Sequence, residues 1–132
     1  MVKPEDQNAI SETLSMHGHI FDAGQLDRLE AIFTPEVVYD MSAVGTGVFE
    51  GIETVRGAAA RMGDHGPIAH HVTNIVLSSD DNDVVTARSK GLMLFADGRL
   101  ESVNHLDTLH RHDGEWRISR RIISPVRTAK VR

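Results

Sequence analysis

The chain of 132 residues contains no cysteine, a single tryptophan, a single tyrosine and no long run of apolar residues. Without cysteine, neither a disulfide framework nor a thiolate zinc site can form. Without a run of about 20 apolar residues, no helix is expected to cross a membrane. The sequence also does not open with the basic and apolar segments of a secretory signal, so we expect a cytoplasmic protein.

Positive charge is scarce as well. Lys and Arg number 14 against 19 Asp and Glu, which gives a formal net charge of −5. Binding to a phosphate backbone needs clustered basic side chains, so neither nucleic acid nor a membrane is an expected partner. The one basic cluster is the closing RTAKVR, which we expect to be a solvated end.

The first half of the chain carries helical patterns. Its length fits one domain, 1–132. A first helix is predicted between Pro4, which suits the first helical position, and Gly24, which suits the end. Apolar residues predict a short second helix that stops before Pro35 and a third that closes at Gly63. Between them, EVVYDMSAV is typical of a strand and GTGVFEG of a turn region.

The second half carries strand patterns. Turn segments DDND, ADGR and HDGE separate four segments, and Asp-Gly pairs are strong hairpin signals. The strands should therefore form an antiparallel meander. Together with the helices they predict an α+β fold, with three helices packed in the concave face of a strongly curved mixed sheet. The four predicted strands span about 68–79, 83–95, 100–111 and 115–124.

Two adjacent histidines, His70 and His71, lie at the start of the first of these strands. Side chains alternate along a strand, so only one of the two can face the space between sheet and helices. Strict alternation places His71 with Thr73 and Ile75 and places His70 with Val72 on the other face. Both faces carry apolar residues, so we expect helices to cover one face and a second subunit, in a homodimer, to cover the other.

Asp22 lies in the last turn of the first predicted helix, where the helix dipole disfavours a carboxylate by about 0.3–1 kcal/mol. It should therefore have a donor or a cation nearby. Two partners are available: His19, three residues earlier on the same helix face, and His71, delivered from the sheet. The residues alone favour His19.

Other polar residues leave the chemistry open. His17 and His19 lie about 200° apart on a helix, and His70 and His71 diverge on a strand, so we expect no metal site. No cofactor is expected either. Arg88 and Arg121 lie in predicted strands. Either could anchor an anion, but we favour their pairing with acidic side chains on the outer sheet face.

Several segments of the sequence resemble a known family. The stretches FDAGQLDRLEAIFTPEVVYD, HHVTN and DGEWRISRRIISP resemble the SnoaL-like branch of the nuclear transport factor two-like superfamily. The resemblance covers nearly the whole chain and implies a cone-shaped, cystatin-like fold with a deep apolar pocket. The chain is similar to scytalone dehydratase and hexachlorocyclohexane dehydrochlorinase, where an Asp ending the first helix pairs with a strand His. Asp22 and His71 match these positions.

The resemblance implies that Asp22 and His71 are catalytic. A neutral His accepts a proton, and the carboxylate stabilises the imidazolium that forms. The expected protein is a dehydratase-like or polyketide cyclase-like lyase or isomerase acting on a hydrophobic cyclic substrate. A non-catalytic domain that binds a hydrophobic ligand or only dimerises is the alternative. Phe21 and Met41 replace the dehydratase tyrosines, and the expected substrate-binding residues are Phe21, Tyr39, Met41, His17, Thr73 and Ile75.

Overall fold

The computed structural model describes residues 1–81 and 83–127, without the side chain of residue 80. The predicted solvated end, 128–132, lies outside the described residues. Helix α1, Pro4–Asp22, begins at the predicted proline and has Glu5 and Asp6 in its first turn, where the helix dipole favours negative charge. The chain leaves α1 through Gly24, whose φ of 65° suits glycine.

The other two predicted helices are also present. The second is a 3₁₀ helix, Leu26–Ala31, and the third is α2, Ile52–Met62. Arg56 of α2 donates hydrogen bonds to the carbonyl oxygen of Leu26 and to the carboxylate of Glu30. These bonds hold the two helices together beside the sheet. Among the described residues, no helix is both long enough and apolar enough to span a membrane.

Six strands form one mixed sheet in the order β2-β1-β6-β5-β4-β3. The predicted meander is confirmed, because the last four strands pair antiparallel in sequence order, whereas β1 and β6 are parallel. The turn region predicted for GTGVFEG was wrong, since it contains the short strand β2, paired antiparallel with β1. The strands are β1 Phe33–Met41, β2 Gly47–Glu50, β3 Ala69–Asp81, β4 Val84–Leu94, β5 Leu100–His112 and β6 Glu115–Pro125.

A β-bulge at Asn74 interrupts the alternation of β3. Thr73 pairs with Lys90 and Val76 with Arg88, so β3 has one residue more than β4 between these pairs. Asn74 has a φ of 55°, a left-handed conformation that asparagine tolerates better than most residues. A bulge of this kind shifts by one residue the positions whose side chains face the core.

The bulge decides which face of β3 each side chain occupies. Val72 lies before it and Ile75 and Leu77 lie after it, yet all three pack against the same core. His71 and Thr73 are exposed. The two halves of β3 therefore bury residues of opposite parity, which strict alternation does not predict.

The core lies between the inner face of the sheet and α1. From α1 it takes Ile10, Leu14 and Ile20, all almost fully buried. Together with the buried His17, they form the face of α1 that meets the sheet. The sheet contributes a second set of fully or nearly buried residues, Phe33, Val37, Ala87, Leu109, Trp116 and Ile118.

Candidate functional site

Asp22 and His70 join the end of α1 to the start of β3. Oδ1 of Asp22 lies 2.6 Å from Nδ1 of His70, and Oδ2 accepts a hydrogen bond of 3.0 Å from the backbone N–H of the same residue. Both side chains are about a quarter exposed. The pairing of Asp22 with His71, which the resemblance implied, was therefore wrong by one residue. Because of the bulge at Asn74, His70 and not His71 shares the inner face with Ile75 and Leu77. The alternative partner, His19, is exposed.

A cavity of about 40 Å³ adjoins this pair between α1 and strands β3 to β6. Its apolar wall includes Leu14, Val72, Met93 and Ile123. The volume is close to that of one or two water molecules, well below the few hundred Å³ typical of sites for small organic ligands. The polar residues that line the cavity are His17, His70, His105 and Arg121, together with Ser15 and His71, whose side chains are exposed.

A buried ion pair lies beside the cavity. Nε and Nη2 of Arg121 donate to the two carboxylate oxygens of Asp107 at 2.7 and 2.9 Å, and both side chains are essentially inaccessible to solvent. The expectation that Arg121 pairs on the outer sheet face was wrong. β6 has an additional residue between Ile118 and Arg120, and this second bulge turns Arg121 inward.

Tyr39 connects the surroundings of this arginine to α1. The charge of Arg121 acts on the buried Tyr39, whose hydroxyl oxygen lies 3.0 Å from Nε2 of His17. Burial, aided by the charge of Arg121, holds the pKa of His17 well below its ordinary value. His17 is therefore neutral, and its Nε2 shares a hydrogen bond with the hydroxyl group of Tyr39.

His105 is a second neutral histidine at the cavity. Burial lowers its pKa to about 2, with the charges of Arg121 and His70 acting in the same direction. Its Nδ1 lies 3.3 Å from Oγ of Ser89 on the neighbouring strand. A neutral imidazole can donate from one nitrogen and accept at the other, so this wall can hydrogen-bond a polar ligand without adding charge.

The predicted substrate-binding residues divide into two groups. His17 borders the cavity, Phe21 stacks on the ring of His17 at 4.3 Å between centroids, and Tyr39 binds the same ring. Met41 and Ile75 pack against the core, and Thr73 is exposed. The structure thus brings the first group to the site and leaves the second outside it. A role in substrate binding stays a prediction for the first group.

Sequence reasoning did not assign His105, Met93, Gly18 or Gly91 to the site, although all four border the cavity. The pattern left open which face of β5 carries His105, and the two glycines carry no side chain that would indicate a site. The available signal was the shared parity of His105 and Asp107, two polar residues that alternation places on the same face of β5 as the apolar Val103 and Leu109.

A larger depression, of about 200 Å³, lies near the start of α1. Three of its charged residues bind one another: Arg111 pairs with Asp6 and with Asp83. The indole N–H of Trp116 also donates to Asp6. Within the described part of the chain, no three His, Asp or Glu residues are placed to hold a metal ion. We therefore take the smaller cavity beside Asp22 and His70 as the candidate site.

The fold and site define a class of protein, an α+β cone in which helices close one side of a curved sheet over a small cavity. The profile of the SnoaL-like domain matches residues 3–122. The chain therefore belongs to the SnoaL-like family, within the nuclear transport factor two-like superfamily. No curated protein matches the sequence.

Solved structures share this fold at low sequence identity. A Mycobacterium tuberculosis protein of unknown function is 21% identical with a TM-score of 0.84, covering 96% of this chain and 79% of its own. An NTF2-like protein with a cystatin-like fold from Novosphingobium aromaticivorans is 21% identical with a TM-score of 0.78, over 95% and 84%. A candidate scytalone dehydratase from the same species is 17% identical with a TM-score of 0.77, over 94% and 95%. The predicted cystatin-like α+β fold is confirmed.

Proposed function

We propose that this protein is a lyase or isomerase in which His70 removes a proton from a carbon atom of a hydrophobic cyclic substrate. The observation that carries the proposal is the contact between Asp22 and Nδ1 of His70 at the edge of the cavity. With Nδ1 donating to the carboxylate, Nε2 keeps its lone pair and can accept a proton. This is the arrangement of a general base held in one tautomer by a carboxylate.

The proposed step moves one proton and one electron pair. The proton passes from carbon to Nε2 of His70, and Asp22 stabilises the imidazolium that results. In an elimination, the C–H electron pair becomes a new double bond and the leaving group departs with its own pair. In an isomerisation, His70 returns the proton to a different carbon.

Negative charge that develops on the substrate would lie near Arg121. Arg121 lines the cavity, whereas its partner Asp107 is fully buried and does not. Fixed positive charge in a site with little water stabilises a developing anion more strongly than the same charge would in solvent. The neutral ring of His105 adds a hydrogen-bonding group without competing for the proton.

The volume of the cavity bears on the alternative, a non-catalytic domain that binds a hydrophobic ligand or only dimerises. At about 40 Å³ the cavity is too small for a ring-sized substrate unless side chains move. Met93, which is unbranched, is the lining residue best able to do so. A ligand that raises the melting temperature but never exchanges a carbon-bound proton would favour the alternative.

The test is hydrogen–deuterium exchange at carbon, with His71→Ala as the matched control for His70→Ala. A thermal-shift screen of hydrophobic cyclic compounds would first supply ligands, since a ligand at 100 times its Kd adds about 2.7 kcal/mol. Loss of carbon-bound protons in D₂O would then be followed by NMR. His70→Ala should slow exchange roughly 10²–10⁴-fold, and His71→Ala should leave it near the original rate.

The partner of His70 is tested in the same assay. Asp22→Asn should slow exchange comparably, because an amide can hold the wrong tautomer of His70. The double variant should be little slower than either single one, since the two residues act as a unit. Equal losses in His70→Ala and His71→Ala, or fully multiplicative losses for Asp22 and His70, would contradict the proposed mechanism.

A further inference from the structure

Gly18 lies one helical turn before Asp22, on the face of α1 that meets β3. Gly18 is buried, and its φ angle is not positive. Glycine is the least favourable residue after proline in a helix interior. Neither the conformation at this position nor helix stability therefore explains a glycine here.

Close packing against β3 does explain it. A Cβ atom built on Gly18 would lie 2.6 Å from the carbonyl oxygen of His70 and 3.4 Å from its carbonyl carbon. Real Cβ atoms essentially never approach another atom within 3.0 Å. Because the obstructing atoms belong to the strand backbone, no change of side-chain rotamer can relieve the contact. Any side chain at position 18 must push α1 and β3 apart by several tenths of an ångström.

Asp22 bridges the same gap between α1 and β3. Its two oxygens bind Nδ1 and the backbone N–H of a single residue, His70, at 2.6 and 3.0 Å. A short carboxylate can make both bonds only while the helix lies this close to the strand. We propose that Gly18 is a positioning residue, which sets the distance between α1 and β3 at which Asp22 fixes the ring of His70.

The chain offers a matched control in Gly57, in the interior of α2. A Cβ atom there would meet only Nη1 of Arg61, the end of a flexible side chain, at 3.3 Å. Gly57→Ala therefore makes the same chemical change in a helix without a backbone obstruction. Asp22→Asn supplies the reference state in which the carboxylate is lost.

The experiment reads the tautomer of His70 by NMR of the ¹⁵N-labelled imidazole at about pH 8, where an ordinary histidine is neutral. The unaltered protein and Gly57→Ala should show the proton on Nδ1, held by Asp22. Gly18→Ala should move the equilibrium toward Nε2–H, the form favoured in water, as far as Asp22→Asn does. In Gly18→Ala, a longer carboxylate introduced by Asp22→Glu should recover part of the Nδ1–H form by spanning the wider gap.

A purely structural role for Gly18 would lower the melting temperature and leave the tautomer unchanged, and that result would overturn the proposal. The proposal would also be overturned if the Gly18→Ala variant did not fold, either alone or when combined with Gly57→Ala. The proposal rests on the proposed pairing of base and carboxylate but needs no substrate. Loss of the tautomer preference in Gly18→Ala would thus support positioning even if His70→Ala left proton exchange intact.

Discussion

Acid is expected to destabilise this fold through His105 before most carboxylates titrate. In the folded chain the pKa of His105 is lowered to about 2, because burial removes hydration from the imidazolium and Arg121 repels it. In the unfolded chain an imidazole has a pKa of about 6.5. Between these values only the unfolded chain binds the proton. Stability is therefore retained above about pH 6.5 and falls as the pH decreases through that value.

The size of the effect follows from the separation of the two pKa values. Each pH unit in the linear range is worth about 1.4 kcal/mol, so a change from about pH 7 to about pH 5 costs about 2 kcal/mol through this one group. His105 is partly exposed, which reduces the expected loss to about 1–2 kcal/mol. His17 should add to the loss in the same direction, since its pKa is also lowered by burial.

Urea unfolding at both pH values measures this loss. His105→Gln removes the titrating group. Between about pH 7 and about pH 5, the free energy of unfolding of this variant should therefore fall by about 1–2 kcal/mol less than that of the unaltered protein. His65→Gln changes an exposed histidine in the short 3₁₀ helix Gly63–His65 and should behave like the unaltered protein. The contribution of His17 is common to all three chains and cancels. An equal loss in His105→Gln and the unaltered protein would refute the reasoning.

Two further predictions concern the buried ion pair and the outer sheet face. Asp107→Asn leaves Arg121 buried without its counter-ion. This should lower the free energy of unfolding by about 3–5 kcal/mol and the melting temperature in calorimetry by roughly 10–20 °C. Asp107→Leu combined with Arg121→Met should recover most of that stability, and no recovery would contradict a purely electrostatic cost. Val76 of β3 and Leu106 of β5, 49% and 42% exposed, lie on either side of Arg88 of β4. They belong to the face that we predict to be covered by a second copy. Light scattering should therefore show a dimer that Leu106→Arg converts to a monomer near 14.5 kDa, and an unaltered chain that is already monomeric would contradict the prediction.

The fold was predictable where the signals are local. Pro4 and Gly24 mark the two ends of α1, and the Asp-Gly pairs mark hairpins in which Gly98 and Gly114 adopt positive φ. Each signal depends on a few neighbouring residues, so tertiary contacts do not alter it. The strand β2 was missed because a strand of four residues that begins with a glycine is too short to show alternation.

The site was less predictable, and both errors have one physical cause. The bulge at Asn74 moved His70 inward instead of His71, and the bulge between Ile118 and Arg120 moved Arg121 inward. A bulge adds a residue on one strand relative to its partner, so it exists only in the pairing of two strands. Alternation within one strand, which is all that the sequence displays, does not contain that information. Asp22 was identified because its position depends on the end of a helix.

The bulge in β3 also affects how this site withstands sequence divergence. If Asn74 took an ordinary extended conformation, the first half of β3 would slide by one residue along β4. His71 would then occupy the inner position that His70 holds. The two histidines are thus alternative occupants of one place in the sheet, chosen by the backbone of a single asparagine. A lineage that gains or loses this bulge keeps an imidazole at the cavity, whereas an isolated histidine would be turned to solvent by the same event.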